Sequence, residues 1–247
     1  MIAHPDHSVK AGILLASASP RSRELIKLLG LPVETTSADL DEVPLPGERA
    51  DEMAMRLSLE KARAVSTFIP AHIREAVDHM VHPSSLILLA SDTVVSLAGE
   101  PLGKPRDAAE ARSMLRRLRG RIHQVYTAIT LLDLQTDRSI TDLAGSDVPM
   151  RRYSDEEIEA YIASGDPFDK AGAYAIQHNG FHPVENFSQC FANVMGLPLC
   201  HVVRSLRQLG VEVPNDVPTL CQAHIGYDCP VFERILASTT GRLRTDE

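Results

Sequence analysis

The chain combines two patterns of apolar residues. Short apolar runs predict buried strands, and apolar residues that recur every three or four positions predict amphipathic helices. Strands are predicted at residues 13–16, 31–36, 86–90, 125–134 and 139–148. Helices are predicted at residues 19–30, 48–65, 67–84, 107–120, 154–165 and 196–210, several of them marked by capping residues. Residues 212–247 are predicted to form an appended tail with one short helix at 231–237.

The first predicted strand runs into a helix that carries an unusual charge. Ser19 is a good N-cap, Pro20 fits the first helical position and Gly30 suits the C-terminal cap. Arg21 and Arg23 then place two cations in the first turn, where the helix dipole disfavours positive charge. A bound anion would reverse that penalty, so this start is a candidate phosphate site. The alternative is that both arginines simply extend into water.

Asp92 is a second candidate, because it follows a continuous apolar run. Residues 86–90 predict a strand buried on both faces, with Asp92 near its carboxyl end, where open α/β sheets bind ligands. An unpaired buried aspartate is costly, so a metal, a general-base role or a cap must compensate it. A structural aspartate turn is the competing explanation. Lys104 follows on a loop that could reach a phosphate, although Pro105 rules out a Walker A motif.

Composition narrows the possible ligands. With 247 residues, a formal charge of −8 and a pI near 5.7, the chain lacks the basic footprint of a protein that binds a nucleic-acid polymer. A small anionic ligand needs only a local basic pocket. The chain has no long apolar run and no signal-peptide pattern, so we expect a soluble cytoplasmic protein that does not bind membranes. The four cysteines contain no CxxC pair and are expected to be reduced; a metal site at Cys221, His224 and Cys229 matches no common zinc spacing.

Seven motifs in order resemble the Maf family of nucleoside triphosphate pyrophosphatases. They lie at residues 15–21 (LASASPR), 60–62 (EKA), 91–95 (SDTVV), 102–105 (LGKP), 120–128 (GRIHQVYTA), 169–174 (DKAGAY) and 193–198 (NVMGLP). The resemblance covers a domain at residues 12–210 and leaves 211–247 as a C-terminal extension. It implies an α/β (mixed α+β) fold similar to the inosine triphosphate pyrophosphatases, with an elongated mixed sheet and two lobes flanking a cleft. It also implies dependence on a divalent cation, Mg²⁺ or Mn²⁺, and a homodimer.

The resemblance also implies an activity and residue roles. A nucleoside triphosphate would be hydrolysed between its α and β phosphates, as a step in cleaning the nucleotide pool. Asp92 would be the general base and a metal ligand, with Glu34 as an additional metal ligand. One set of residues would bind the phosphates of the substrate, and another set would bind its base. Phosphate-side residues are Ser17, Ser19, Arg21, Lys61, Lys104 and, more weakly, Lys170.

Base preference depends on three positions. The set Arg21, Thr93 and Gln177 resembles the subgroup that hydrolyses dTTP and UTP, whereas the subgroup acting on 7-methyl-GTP tends to carry Trp, Gln and Glu there. Gln177 is predicted to end a short strand within residues 166–177, where its amide could bind a base edge. Three alternatives stay open: a nucleotide-binding regulator of cell division, a pyrophosphatase of the 7-methyl-GTP type, and a phosphatase that removes the γ phosphate.

Overall fold

The computed structural model describes residues 11–37, 40, 42–69 and 85–238, and the backbone of 242–244. Most of the helix predicted over 67–84 lies outside the described residues, as do Asp39 and Asp41 of the acidic loop. Within the described part of the chain, no helix has the length and apolar character needed to cross a bilayer.

The described strands form one mixed sheet. The strands are β1 (Ala11–Ala16), β2 (Val33–Thr36), β3 (Ser85–Leu97), β4 (Glu100–Leu102), β5 (Ile122–Asp133), β6 (Ser139–Pro149) and β7 (Arg242–Arg244). Their order is β2-β1-β3-β5-β6-β7, with β4 beside the far end of β3. β1 pairs in parallel with β2 and β3, and the other pairings are antiparallel. The mixed α+β architecture is therefore confirmed.

The described helices pack on this sheet and on one another. They are α1 (Pro20–Ile26), α2 (Ala50–Thr67), α3 (Ala108–Leu118), α4 (Asp155–Ala163), α5 (Phe191–Met195), α6 (Leu199–Gln208), α7 (Val217–Ile225) and α8 (Phe232–Ala237). The predicted caps are confirmed: Ser19, Asp107 and Ser154 each accept a hydrogen bond from a backbone N–H of the first helical turn. Gly30 ends the first helical region in the left-handed conformation.

Strand β3 is longer than its apolar run suggests. The run at 86–90 is only its first half, and the strand continues to Leu97. Ala16, the last residue of β1, pairs with Ala90, whereas β5 continues alongside β3, with Ala128 opposite Asp92. Asp92 therefore does not follow the end of its own strand, as the sequence suggested. It lies just beyond the end of the neighbouring strand β1, where the sheet opens on one side.

Two large apolar clusters lie in different parts of the structure. The first joins β1 and α1 to α6 and to tail residues Val211 and Val217. The second joins the far half of β3 to α3, α4 and the loop around Tyr174. Side chains from both groups of elements line a cleft at the end of β1.

The structure departs from the predicted elements in two places. Residues 166–177 contain two 3₁₀ turns, Asp166–Asp169 and Ala171–Ala173, where a strand was expected. Gly172 and Ala173 have φ values of 71° and 60°, which are incompatible with an extended strand.

In the tail, the helix predicted at 231–237 is confirmed as α8, but α7 was not anticipated. Asp216 caps α7 and a proline occupies its first turn, so Pro218 starts a helix rather than marking an irregular segment.

Candidate active site

The cleft has a volume of about 420 Å³. Nine residues predicted for the site line it: Ser17, Ser19, Arg21, Lys61, Asp92, Thr93, Lys104, Lys170 and Gln177. Glu34 is not among the lining residues. It pairs with Leu14, two residues before the carboxyl end of β1, and the structure does not bring it together with the other predicted site residues.

The turn between β1 and α1 presents hydroxyl donors to the cleft. Ser17 Oγ accepts a hydrogen bond from Ser19 N–H at 3.2 Å, and Ser19 Oγ accepts one from Ser22 N–H at 3.4 Å. Because each hydroxyl is used as an acceptor in these bonds, its own hydrogen remains available to an anion. Arg23 turns back to donate to Ser17 O at 3.3 Å, whereas Arg21 lines the cleft and forms no ion pair with the described residues.

Opposite this turn, two lysines and two carboxylates form a continuous chain. Lys61 on α2 donates hydrogen bonds to Asp92 and, at 2.7 Å, to Glu42 Oε1. Lys104 donates to the other oxygen of Glu42 at 3.2 Å. Asp92 is buried with 6% exposure, whereas Lys104 is 55% exposed, so the chain runs from the protein interior to the solvent.

Burial and pairing shift the pKa values in this chain. Burial raises the pKa of Asp92, and Lys61 opposes that shift without cancelling it. Burial would lower the pKa of Lys61, but the charges and hydrogen bonds of Asp92 and Glu42 outweigh it and raise that pKa. Burial alone would raise the pKa of Glu42, yet Lys61 and Lys104 hold it below the ordinary value. The site thus contains a protonated lysine beside a carboxylate that is unusually ready to accept a proton.

Lys170 differs from the other two lysines. It is buried, and it donates to Asp166 O at 2.6 Å, to Asp166 Oδ1 at 2.9 Å and to Asp169 Oδ1 at 2.6 Å. An ammonium group has three hydrogens, so these contacts use its donor capacity. Tyr161 also donates to Asp166, at 2.6 Å. In this structure Lys170 therefore fixes the loop that forms one cleft wall.

The Thr93 hydroxyl in the cleft has its orientation fixed by Thr127 and the backbone carbonyl of Asn193. Thr127 Oγ1 donates to the backbone carbonyl of Asn193 at 2.8 Å, and it lies 2.9 Å from Thr93 Oγ1. The single hydrogen of Thr127 is used on the carbonyl, so Thr93 must donate to Thr127. Thr93 therefore presents only acceptor capacity to a ligand. Gln177, in the same cleft, offers an amide that can both donate and accept.

Glu42 is the site residue that sequence reasoning missed. It belongs to the acidic segment at residues 39–42, for which the local pattern indicates only a solvated surface, because carboxylates in loops usually face water. The available signal was its place a few residues after β2, since the chain leaves that strand at the same edge of the sheet as β1. Pairing between Glu42 and two lysines distant in sequence could not be inferred from local pattern.

The fold and cleft have the features of a protein that acts on a small phosphorylated molecule: cations and hydroxyl donors on one side, and a buried carboxylate beside them. A family model described as Maf-like protein matches residues 12–209, and the chain belongs to this family.

Relatives of similar length support this assignment. Three proteins named dTTP/UTP pyrophosphatase illustrate the similarity. That of Geotalea uraniireducens is 40% identical over 81% of this chain and 96% of its own length. That of Anaeromyxobacter dehalogenans is 42% identical over 83% and 98%, and that of Thermomicrobium roseum is 41% identical over 92% and 97%. A solved nucleoside-triphosphatase / dITP/XTP pyrophosphatase from Mycobacterium abscessus aligns with 14% identity and a TM-score of 0.39, covering 92% of this chain and 100% of that one.

Proposed function

We propose that this protein hydrolyses nucleoside triphosphates, with dTTP and UTP preferred, to the nucleoside monophosphate and pyrophosphate. The observation that carries the proposal is the cleft itself, which places Asp92 beside Lys61 and faces them with the serine hydroxyls and Arg21. The names of the relatives, which the chain resembles over most of its length, support the same reaction and the same substrates.

In the proposed reaction the cations bind the phosphates and Asp92 handles the proton. Arg21, Lys61 and Lys104 neutralise phosphate charge, while the Ser17 and Ser19 hydroxyls donate to phosphate oxygens. A water molecule attacks the α phosphorus in line with the leaving pyrophosphate, and Asp92 accepts its proton. The raised pKa of Asp92 makes it a stronger base than an ordinary aspartate. Lys61 holds the carboxylate in place by its hydrogen bond.

The donor set of the cleft also fits a divalent cation. Mg²⁺ and Mn²⁺ prefer oxygen ligands, and Mg²⁺ is commonly held by one or two carboxylates together with substrate phosphates. Asp92 and Glu42 would hold the cation. They are the two carboxylates that accept hydrogen bonds from Lys61 in the described part of the chain. When bound, the cation would supply further neutralisation of phosphoryl charge. Glu34, proposed from the resemblance as a second ligand, lies outside the lining of the cleft.

Base preference follows from the hydrogen-bonding capacity of Thr93 and Gln177. Uracil and thymine present a ring N–H flanked by carbonyl oxygens, so they need an acceptor and a donor. Thr93 supplies the acceptor, and the amide of Gln177 supplies both. A 7-methylguanine carries positive charge and would gain from a carboxylate and an aromatic face, which these positions do not provide.

The family resemblance further supports a homodimer in the cytoplasm. Sedimentation of the purified protein would test the homodimer, and localisation of a tagged copy would test the compartment.

Product analysis tests this function directly. The purified full chain is incubated with Mg²⁺ or Mn²⁺ and equal amounts of dTTP, UTP, CTP, GTP and 7-methyl-GTP, and phosphorus NMR identifies the products. We expect pyrophosphate and monophosphate, with kcat/KM highest for dTTP and UTP. Nucleotide binding without turnover would favour a regulator, and orthophosphate with a diphosphate would favour removal of the γ phosphate.

A variant pair tests the role of Asp92. Asp92→Asn should lower kcat by about 10²–10⁴-fold, the usual contribution of a general base, while the protein remains folded. Asp147→Asn is the matched control, because Asp147 is exposed on β6 and does not line the cleft. Near-normal pyrophosphate release by Asp92→Asn would contradict the assignment.

A further inference from the structure

The four cysteines of the chain converge on one place away from the cleft. Cys190 precedes α5, Cys200 lies in α6, Cys221 lies in α7, and Cys229 lies in the loop between α7 and α8. All four line a small, mostly apolar cavity of about 10 Å³, and all four are free thiols.

Two of these thiols contact each other and differ from the other two. The Cys190 thiol hydrogen-bonds to Cys229, and this hydrogen bond lowers the pKa of Cys229 below that of an ordinary thiol. Burial opposes that shift, while the backbone N–H groups of Val231 and Phe232 support it. By contrast, burial raises the pKa of Cys200 to about 12 and that of Cys221 to about 11. Cys229 is therefore the most readily deprotonated thiol of the group, and Cys190 is its protonated neighbour.

The loop that carries Cys229 is held in place by hydrogen bonds. Cys229 N–H donates to Gln222 Oε1 at 2.9 Å, and the amide of Gln222 donates to Pro218 O at 3.2 Å. The Tyr227 hydroxyl donates to Phe187 O at 3.2 Å, which ties the loop to the segment just before Cys190. Both cysteines are thus positioned by fixed elements on the two sides of their contact.

A metal ion does not explain the cluster. The described residues contain no group of three or more His, Cys, Asp or Glu side chains arranged to hold a metal. His224, which the sequence offered as a ligand beside Cys221 and Cys229, is exposed and does not line the cavity.

We propose that Cys229 and Cys190 form a redox-active pair, in which a peroxide oxidises Cys229 and Cys190 then closes a disulfide. The Cys229 thiolate attacks one oxygen of hydrogen peroxide; the O–O bond breaks, and the released hydroxide takes up a proton as water. Cys190 sulfur attacks the resulting sulfenic acid, the S–S bond forms, the S–O bond breaks, and the oxygen leaves as a second water with the Cys190 proton. Two thiols lose two electrons in total, and one peroxide becomes two waters.

This disulfide would lie at the start of a helix that ends in the nucleotide cleft. Cys190 immediately precedes α5, and Val194, Met195 and Gly196 at the other end of α5 line the cleft. The oxidised pair would covalently join α5 to the tail segment that carries α7 and α8.

Selective alkylation and peptide mapping test the proposal on the reduced full chain. The pKa of Cys229 is lowered and that of Cys221 is raised, and the lower nucleophilicity of the more acidic thiol only partly offsets its larger thiolate fraction at pH 7. We expect Cys229 to react with iodoacetamide at least about tenfold faster than Cys221. After treatment with hydrogen peroxide, a non-reducing digest should contain one dominant linked pair, Cys190–Cys229, that disappears with dithiothreitol.

Three variants make the test specific. Cys190→Ser should leave a sulfenic acid on Cys229 that dimedone traps, and Cys229→Ser should abolish both the link and the fast alkylation. Cys200→Ser is the matched control and should keep the link. The wild-type digest needs no variant, so it decides the question even where a substitution prevents folding. Equal alkylation of all four thiols, or peroxide products without a dominant Cys190–Cys229 link, would overturn the proposal.

Discussion

Replacing Thr127 by valine should change which base is accepted, although Thr127 does not line the cleft. Thr127 is fully buried, and its hydroxyl fixes Thr93 as a hydrogen-bond acceptor toward the ligand. Valine keeps the shape and removes the hydroxyl. Thr93 is then free to rotate and to donate into the cleft, so a base that presents an acceptor at this point, such as cytosine, loses its penalty.

The magnitude follows from the cost of a mismatched hydrogen-bonding group. Leaving a buried polar group unpaired costs about 1–3 kcal/mol, and 1.4 kcal/mol corresponds to tenfold in kcat/KM. Thr127→Val should therefore raise kcat/KM for CTP relative to UTP by about tenfold. It should also lower the free energy of unfolding by about 1–3 kcal/mol, because the carbonyl of Asn193 loses its donor.

The assay measures pyrophosphate release from UTP and CTP in competition. Thr130→Val is the matched control: Thr130 is a buried threonine of the same strand, its hydroxyl contacts Ser58 at 2.9 Å, and it lies outside the cleft lining. The control should lose similar stability without a change in base preference. An unaltered CTP/UTP ratio in folded Thr127→Val, or an equal change in Thr130→Val, would refute the reasoning.

Three further predictions concern stability. Asp142→Ala should lower the free energy of unfolding by about 3–5 kcal/mol, because it leaves the buried Arg204 guanidinium without its carboxylate partner. In the structure Arg204 donates to both Asp142 oxygens, at 2.6 and 2.7 Å. A loss below about 1 kcal/mol in urea unfolding would contradict this. Burial lowers the pKa of His123 and His201 to about 4 in the folded protein. Because the unfolded chain binds these protons first, stability should fall as the pH drops from 6.5 towards 4, by about 2 kcal/mol per histidine at pH 5; unfolding free energies that are equal at pH 7 and pH 5 would exclude it. Truncation after Glu212 should lower the melting temperature yet keep substantial specific activity, and an inactive but folded truncation would show that the tail contributes to catalysis.

The sequence was most informative where local chemistry decides the structure. Ser19, Asp107 and Ser154 mark helix starts because a side-chain oxygen satisfies a backbone N–H within three residues. The site could be predicted as a set of residues for a related reason, because the resemblance assembles motifs that are far apart in the chain. The pairing within the site could not be predicted, since Lys61 reaches both Asp92 and Glu42 only once α2, β3 and the segment after β2 have packed together.

Non-local geometry accounts for the errors. Asp92 lines the cleft because β1 stops at the level of Ala90, and no feature of residues 85–97 alone reveals where a neighbouring strand ends. The strand predicted before Gln177 is wrong because Gly172 and Ala173 adopt positive φ, and Gly172 does so where it packs closely against Val95. The convergence of the cysteines likewise depends on how the tail packs against α6.

The bridge from Glu42 to Lys61 and Lys104 means that the cleft of the free protein already contains an anion of its own. The Glu42 carboxylate holds both ammonium groups close together, so their mutual repulsion is offset before any ligand arrives. A ligand that binds these lysines must displace the Glu42 carboxylate or share the lysines with it. Its binding free energy therefore gains only the difference between its own attraction to the lysines and that of Glu42. A single negative charge gains little by this exchange, whereas a triphosphate brings several charges on linked groups. If the cleft binds the proposed triphosphate, Glu42 therefore favours polyphosphates over the monovalent anions abundant in solution.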